Sequence, residues 1–254
     1  AVLFVPASVP ETKLVQMLAY GADVLPIDGT YDQAFELCVQ ACQRFGWYNR
    51  NTALNPFTIE GKKTAALEIA AAITPECPDV VVVPVGDGVI IAGIAKGFSD
   101  LRRAGLIAVQ PEGSAAIVTA LVAGDDDIQA VLEAESVADS LVVQAPRNAR
   151  LCLRQIRASN GGAVAVADEA IIAAIAELAE MTGVFAEPAA AASLAGLHAA
   201  IETGLVDTTE RIVLLVTGTG LKDVPAAAQS VIRPAPVKPT IEAISARVQG
   251  DRRR

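Results

Sequence analysis

The segment PDVVVVPVGDGVIIAGIAKGF, residues 78–98, constrains the fold more than any other part of the chain. Its valine run is apolar at every position, not at every second one. A strand of that kind must be covered on both faces, as in a parallel sheet sandwiched between helices. Pro84 and the Gly-Asp-Gly turn end the strand, and a helix is predicted from there to residue 103. The unit recurs. Further strands are predicted at AVLFVP, DVLPI, LIAVQ and RIVLLVTGTG. Helices are predicted at ETKLVQMLAYGA, stopped by Gly21, and at TYDQAFELCVQACQRFG, opened by a Thr or Asp cap and closed by Gly46. EGKKTAALEIAAAI and residues 113–123, 146–159, 168–182 and 188–203 complete the set. Strand and helix alternate from the first residue, which predicts an α/β fold of open parallel sheets.

Composition removes several classes of function. The chain has 254 residues, 52% of them hydrophobic, enough for one large domain or two interlocked ones. A net charge of −9 offers no basic excess to neutralise the phosphates of a nucleic acid or an anionic membrane. Mean hydropathy is positive, at +0.43. The apolar runs are nevertheless broken by Gly, Pro or charge well before the roughly 18 to 20 residues that a membrane span requires. Cys38, Cys42, Cys77 and Cys152 lack the spacing of a zinc site and read as reduced thiols, so no metal is expected. With no secretory leader visible, the expected compartment is the cytoplasm. His198, the sole histidine, falls in a helical segment, where a helix-surface position is expected and a Ser-His-Asp mechanism finds no support.

The glycine turn carries the chemistry. Ligands of open α/β sheets bind beyond the carboxyl ends of the strands, where a helix N-terminus offers free N–H groups. Gly86, Asp87, Gly88, Val89 and Ile90 occupy that location. A dinucleotide fingerprint fails, because Ile91 stands at the required step and the next glycine is Gly93. An NAD reading would also have to use Glu112 as its ribose acid. The Gly-Lys-Ser/Thr of a nucleotide P-loop is absent. What remains is a small phosphate-bearing group held by backbone amides, or else a plain tight turn in which Asp87 caps the helix. A second strand end, VTGTGLKD, places Thr217 and Thr219 where either could bond a ring nitrogen or hydroxyl.

Four motifs, NPFTIEGKKTAALEI, VPVGDGVIIAGIAKGF, FAEPAAAASLAGL and TGTGLKD, in this order and spacing, resemble threonine synthase. That family comprises pyridoxal-phosphate enzymes of fold type II, the tryptophan-synthase-β-like group, and the resemblance covers residues 1–228. It implies two lobes of open parallel sheet covered by helices. Residues 1–52 would form the small lobe, residues 53–232 the large cofactor lobe and residues 233–254 a proline-rich, basic, mobile tail. The resemblance further implies pyridoxal 5′-phosphate as cofactor, its phosphate cradled by Gly86, Asp87, Gly88, Val89 and Ile90, with Thr217 at the pyridine nitrogen. It implies a lyase that converts O-phosphohomoserine and water to threonine and phosphate. Asn55 and Lys62 would bind that phosphorylated substrate near a helix N-terminus, with Lys63 pointing elsewhere. A homodimer is implied as well.

The chain departs from the family at Thr58, where many members have arginine, and at Lys62, where they have glutamine. These departures keep open a threonine or serine dehydratase, a cysteate-synthase-like enzyme, or a non-catalytic phosphate-ligand-binding remnant. The family's Schiff-base lysine and its Gly-Asn-Thr-Ser loop lie upstream of the segment that AVLFVP resembles. Lys13, Lys96, Lys222 and Lys238 do not match that lysine motif, so no catalytic residue is assigned. The expectation is a chain lacking its N-terminal portion, whose incomplete small lobe exposes an apolar face.

Overall fold

The computed structural model describes residues 1–99, 101 and 104–251. Two parallel sheets organise it. In the first, β1 (Val2–Pro6) pairs with β2 (Asp23–Ile27), Val2 opposite Asp23. The helix α1 (Glu11–Ala19) joins them, and α2 (Tyr31–Phe45) follows β2. Thr30 and Gln33 form a reciprocal capping box at the start of α2, and Gly46 closes it in the left-handed conformation, φ 70°. Two strands and two helices have little to bury. No residue of α1 is buried, and only Ala34 and Phe35 of α2 are. Val15, Leu18, Leu37 and Phe45 are exposed, the uncovered apolar surface expected of this part of the chain.

The second sheet is four-stranded. It uses β3 (Val80–Pro84), β4 (Gly105–Pro111), β5 (Gly162–Val166) and β6 (Ile212–Leu214), in the order β5-β4-β3-β6, every neighbouring pair parallel. Its continuous apolar runs are divided by the pleat between two cores. Val80, Val82, Ile107, Val109, Val164 and Val166 face α7 (Asp168–Thr182) and α8 (Pro188–Glu202). Val81, Val83, Leu106 and Ala108 face the other way. There they meet α4 (Val89–Ser99), α5 (Ala116–Ala123) and α6 (Ala149–Ala158), with α3 (Pro56–Ile73) packed outside α4. Helix α8 is buried at every residue from 188 to 196, and its alanines and Gly196 let it lie against the strands. A Cβ at Gly196 would stand 2.2 Å from Val109 Cγ2.

Several predicted boundaries moved. Helix α3 starts at Pro56, not Glu60, because Asn55 accepts from Phe57 N–H as the cap and proline fits the first helical position. The strand β5 was not predicted. Its Gly-Ala-Val-Ala-Val sequence has weak strand propensity, and its ladder with β4 is what holds it extended. The run RIVLLVTGTG forms only three ladder residues, all part-exposed, because β6 is bonded on one side alone. The tail contains a helix, α10 (Ile241–Asp251), beyond the four-residue α9 (Val224–Ala227). Residues 100, 102 and 103 of the predicted helix and the basic end at Arg252, Arg253 and Arg254 lie outside the described residues. Among the described residues no helix is long and apolar enough to cross a membrane, and no His/Cys/Asp/Glu group could hold a metal ion. His198 is an exposed residue of α8 beside Glu177, and all four cysteines are free.

Candidate active site

The carboxyl ends of both sheets open on one cavity of about 670 Å³. Its floor is the turn between β3 and α4. The N–H of Val85 still bonds Val109 O, at 2.8 Å, and the N–H of Ala92 bonds Gly88 O, at 3.3 Å. Between them the backbone N–H groups of Gly86, Asp87, Gly88, Val89, Ile90 and Ile91 have no acceptor among the described residues, and all six residues line the cavity. Unfilled donors at a helix N-terminus, at the positive end of its dipole, form a site for an anion.

The two glycines of the turn have different reasons to be there. Gly88 lies at φ 85°, and a Cβ on it would meet Cys152 Cβ at 2.9 Å. Gly86 has no such backbone requirement; a Cβ there would approach Ser140 O at 3.3 Å. Burial pushes the Cys152 thiol up to about 12, which makes it an inert wall behind the turn.

Asp87 does not cap α4. Its carboxylate is turned away from the free amides, accepting from Tyr31 Oη at 2.8 Å and from Arg147 N–H at 3.0 Å. The Arg147 guanidinium bonds the Asp32 carboxylate, stands 4.0 Å from Asp87 Oδ1, and lies 4.1 Å above the centre of the Phe35 ring. Burial opposes the charge on Arg147, but the Asp32 hydrogen bond and charge outweigh it and raise its pKa. Burial, then the charge of Asp87, holds the Tyr31 phenol well above its ordinary value, so it remains a donor.

Thr217 belongs to the same cavity. The ladder sets Val82 opposite Leu214, and Leu215 N–H bonds Val82 O at 3.0 Å, so Thr217 leaves its strand level with Val85. Thr219 is used structurally, bridging to Ala186 and accepting from Leu221 N–H. Lys62 also lines the cavity. It sits on the seventh residue of α3 and not near that helix's N-terminus, as the sequence suggested; what brings it in is close packing, since a Cβ on Gly93 of α4 would lie 2.5 Å from Lys62 Cβ. Gly93, absent from any dinucleotide fingerprint, is therefore a helix-contact glycine. Burial, then the nearby Arg50 charge, lowers the pKa of Lys62. Lys63 turns instead to Glu60, at 3.0 Å.

Asn55 is not brought to the cavity. Its Oδ1 caps Phe57 N–H and its Nδ2 donates to Tyr48 Oη at 2.7 Å, so its polar atoms are spent on the start of α3. Thr58 is buried, with its hydroxyl on Thr52 O and Asn55 O. Sequence reasoning missed Tyr31, Asp32, Arg147 and the rim residues 139–144. The rim belongs to a connection from residue 124 to 148 that carries only a short 3-10 turn. Ser114, fully buried, pins it by accepting from Val143 N–H at 3.0 Å. A connection of that length inside a compact domain was the available signal, since such loops are commonly functional.

The fold and site define a cofactor enzyme of the α/β class, and comparison with known proteins agrees. The chain belongs to the pyridoxal-phosphate dependent enzyme family, whose model matches residues 1–218. Its cofactor is accordingly pyridoxal 5′-phosphate. The chain is 38% identical over 233 residues to the threonine synthase of Methanocaldococcus jannaschii, covering 89% of this chain and 57% of that protein. It is 36% identical over 245 residues to the threonine synthase of Methanosarcina acetivorans, covering 94% of this chain and 60% of that protein. The chain thus spans about three-fifths of the length of these curated relatives. Among solved structures it is similar to the processed form of threonine deaminase isoform 2 from Solanum lycopersicum, with TM-score 0.75 and 25% identity over 91% of this chain and 64% of that one. It also shares the fold of a fungal L-serine ammonia-lyase from Rhizomucor miehei, at TM-score 0.70 and 21% identity over 91% of this chain and 73% of that one.

The residues present suit the group. A phosphate dianion needs several donors in a concave site, and six orphaned amides line this cavity without a competing carboxylate oxygen among them. The cavity is also large enough for a substituted pyridine beside a small amino acid.

Proposed function

We propose that the chain serves a threonine-synthase-like lyase reaction in which O-phosphohomoserine and water become threonine and phosphate, in a cytoplasmic homodimer. The observation that carries this reading is that Lys62 and the orphaned amides of residues 86–91 open on one cavity as two separate anion-holding features. Two phosphates must be held in such a reaction, one on the cofactor and one on the substrate. The amides hold the first; Lys62 holds the second. When bound, pyridoxal phosphate supplies the electron sink for proton removal at substrate carbons. Thr217 offers the ring nitrogen a neutral hydroxyl and no carboxylate, which leaves that nitrogen largely unprotonated. Lys62 stabilises the substrate phosphate as it leaves with growing charge, and the bound anion in turn offsets the desolvation and the Arg50 charge that lower the pKa of Lys62. Asn55 contributes by starting α3, the helix that presents Lys62.

The test compares Lys62→Ala with Lys63→Ala in the protein that carries this chain, measuring phosphate release from O-phosphohomoserine. Lys62→Ala is expected to lower kcat/KM by about 2 to 4 kcal/mol. Lys63→Ala changes little, because its partner is Glu60. Cofactor affinity survives both substitutions. Equal losses in the two variants would remove Lys62 from its role. The likeness to threonine deaminase favours a second reading, a dehydratase; 2-oxo acid formation from threonine, with no turnover of the phosphorylated substrate, would establish that reading instead.

A further inference from the structure

An acidic residue sits in the middle of the anion site. Asp87 is the second of the six consecutive residues whose amides are free, and this creates two conflicts for a phosphate there. Its charge repels the incoming anion. Its oxygens are also natural acceptors for the same N–H groups, since aspartate beside a helix start is a preferred cap and Gly88 has no side chain to cap with. Left free, the carboxylate would compete for the donors that the ligand needs.

The structure shows what prevents this. One oxygen accepts from the Tyr31 hydroxyl at 2.8 Å, and the other from Arg147 N–H at 3.0 Å, with the guanidinium 4.0 Å away. The backbone beside it is held as well, because Asn148 N–H donates to Asp87 O at 3.1 Å. These partners come from two distant segments. Tyr31 is the first residue of α2, packed on the first sheet, and Arg147 is the last residue but one of the long connection before α6. Arg147 is itself held by Asp32, whose carboxylate also accepts from Gln144 N–H at 3.0 Å. Desolvation and then the Asp87 charge hold the Tyr31 phenol well above its ordinary pKa, so it stays protonated and its donation persists over the working pH range.

We infer that Tyr31 and Arg147 are positioning residues that draw the Asp87 carboxylate out of the phosphate cup and so keep the amides of residues 86–91 open to the cofactor's phosphate. The inference rests on the reading of that turn as the cofactor's phosphate site. It assigns the start of α2, which touches no reacting atom in this scheme, a direct effect on cofactor affinity.

The test uses pyridoxine 5′-phosphate and pyridoxine, which lack the aldehyde and so cannot react with surface lysines. Their affinities for the protein are measured by calorimetry, and their ratio reports the phosphate's share of binding. Tyr31→Phe is expected to lower that ratio about ten-fold, the loss of one charge-assisted hydrogen bond, while leaving pyridoxine affinity unchanged. Adding Asp87→Ala, which removes both the repelling charge and the competing acceptor, should restore the ratio in the Tyr31→Phe background. Inorganic phosphate, used as a competitor, should follow the same order. A Tyr31→Phe ratio equal to the wild type overturns the inference. So does a lowered ratio that Asp87→Ala fails to restore, because a merely structural role for Tyr31 would not be rescued by removing the Asp87 carboxylate. A wild-type ratio near one, by contrast, removes the phosphate-cup reading itself.

Discussion

At Gly88 two independent constraints coincide, whereas at Gly86 there is one mild one. A side chain at position 88 must adopt φ 85° and also push against Cys152, a residue buried in the core beneath α4. Gly88→Ala is therefore expected to destabilise the protein by about 1 to 3 kcal/mol. Gly86→Ala faces a single backbone oxygen at 3.3 Å and should lower the thermal midpoint much less. Thermal unfolding of the two variants checks this, and equal losses would contradict it. In the sequence the two glycines look alike, and either could be read as the one that makes room for a ligand. Their difference depends on Cys152 and Ser140, which no local pattern reveals. Asp87 shows the same limit: its place beside a helix start reads as a cap, and only its actual partners show that it is not one.

At the scale of elements, small residues decide which helices come close. Gly93 and Gly97 let α4 approach α3 until Lys62 and Ala66 touch its backbone, and this contact carries Lys62 to the cavity. The same device seats α8 on the sheet. Gly196→Ala would set a methyl 2.2 Å from Val109 Cγ2, in a region where both sides are buried. The expected effect is about 1 to 3 kcal/mol of destabilisation by overpacking, read as a fall in denaturation midpoint, with the N-terminal end of α8 least disturbed. An unchanged midpoint would mean that the helix can lift without penalty. Much at this scale was legible. The capping box at Thr30, the αL stop at Gly46 and the Asn55-Pro56 start of α3 all stand in the sequence as residue types, although the last was overlooked. Strand β5 was not legible, because alanine and glycine carry little strand preference and the ladder to β4 supplies the rest.

For the whole molecule, the cavity exists because the ends of two sheets are held against each other. Asp32 of α2 is one such tie, accepting from Gln144 N–H and from the Arg147 guanidinium. Asp32→Ala removes the shortest of the guanidinium's carboxylate contacts, leaving Glu36 at 3.4 Å and Ala145 O at 3.2 Å, and should cost about 1 to 2 kcal/mol. The loss should be local. We propose the division near residue 52 on this basis: limited proteolysis of Asp32→Ala is expected to cut faster in the exposed stretch around residues 46–54, while the four-stranded sheet with its helices stays protected. Uniformly faster digestion would argue for a single cooperative unit.

The sequence by itself determined a parallel α/β architecture, the strand-to-helix turn with anion-binding character, and the second strand end at Thr217. Those features follow from periodic burial and from glycine and proline acting on their immediate neighbours, so they can be read within a window of a few residues. Tertiary structure alone decided that the packing of α3 on Gly93, and not a helix N-terminus, brings Lys62 to the cavity, that residues 139–144 form its rim, and where the Asp87 carboxylate points. Asp87 takes its partners from 56 residues before it and 60 after it. At such separations direction is set by which surfaces pack, a property of the assembled core and not of any stretch of chain.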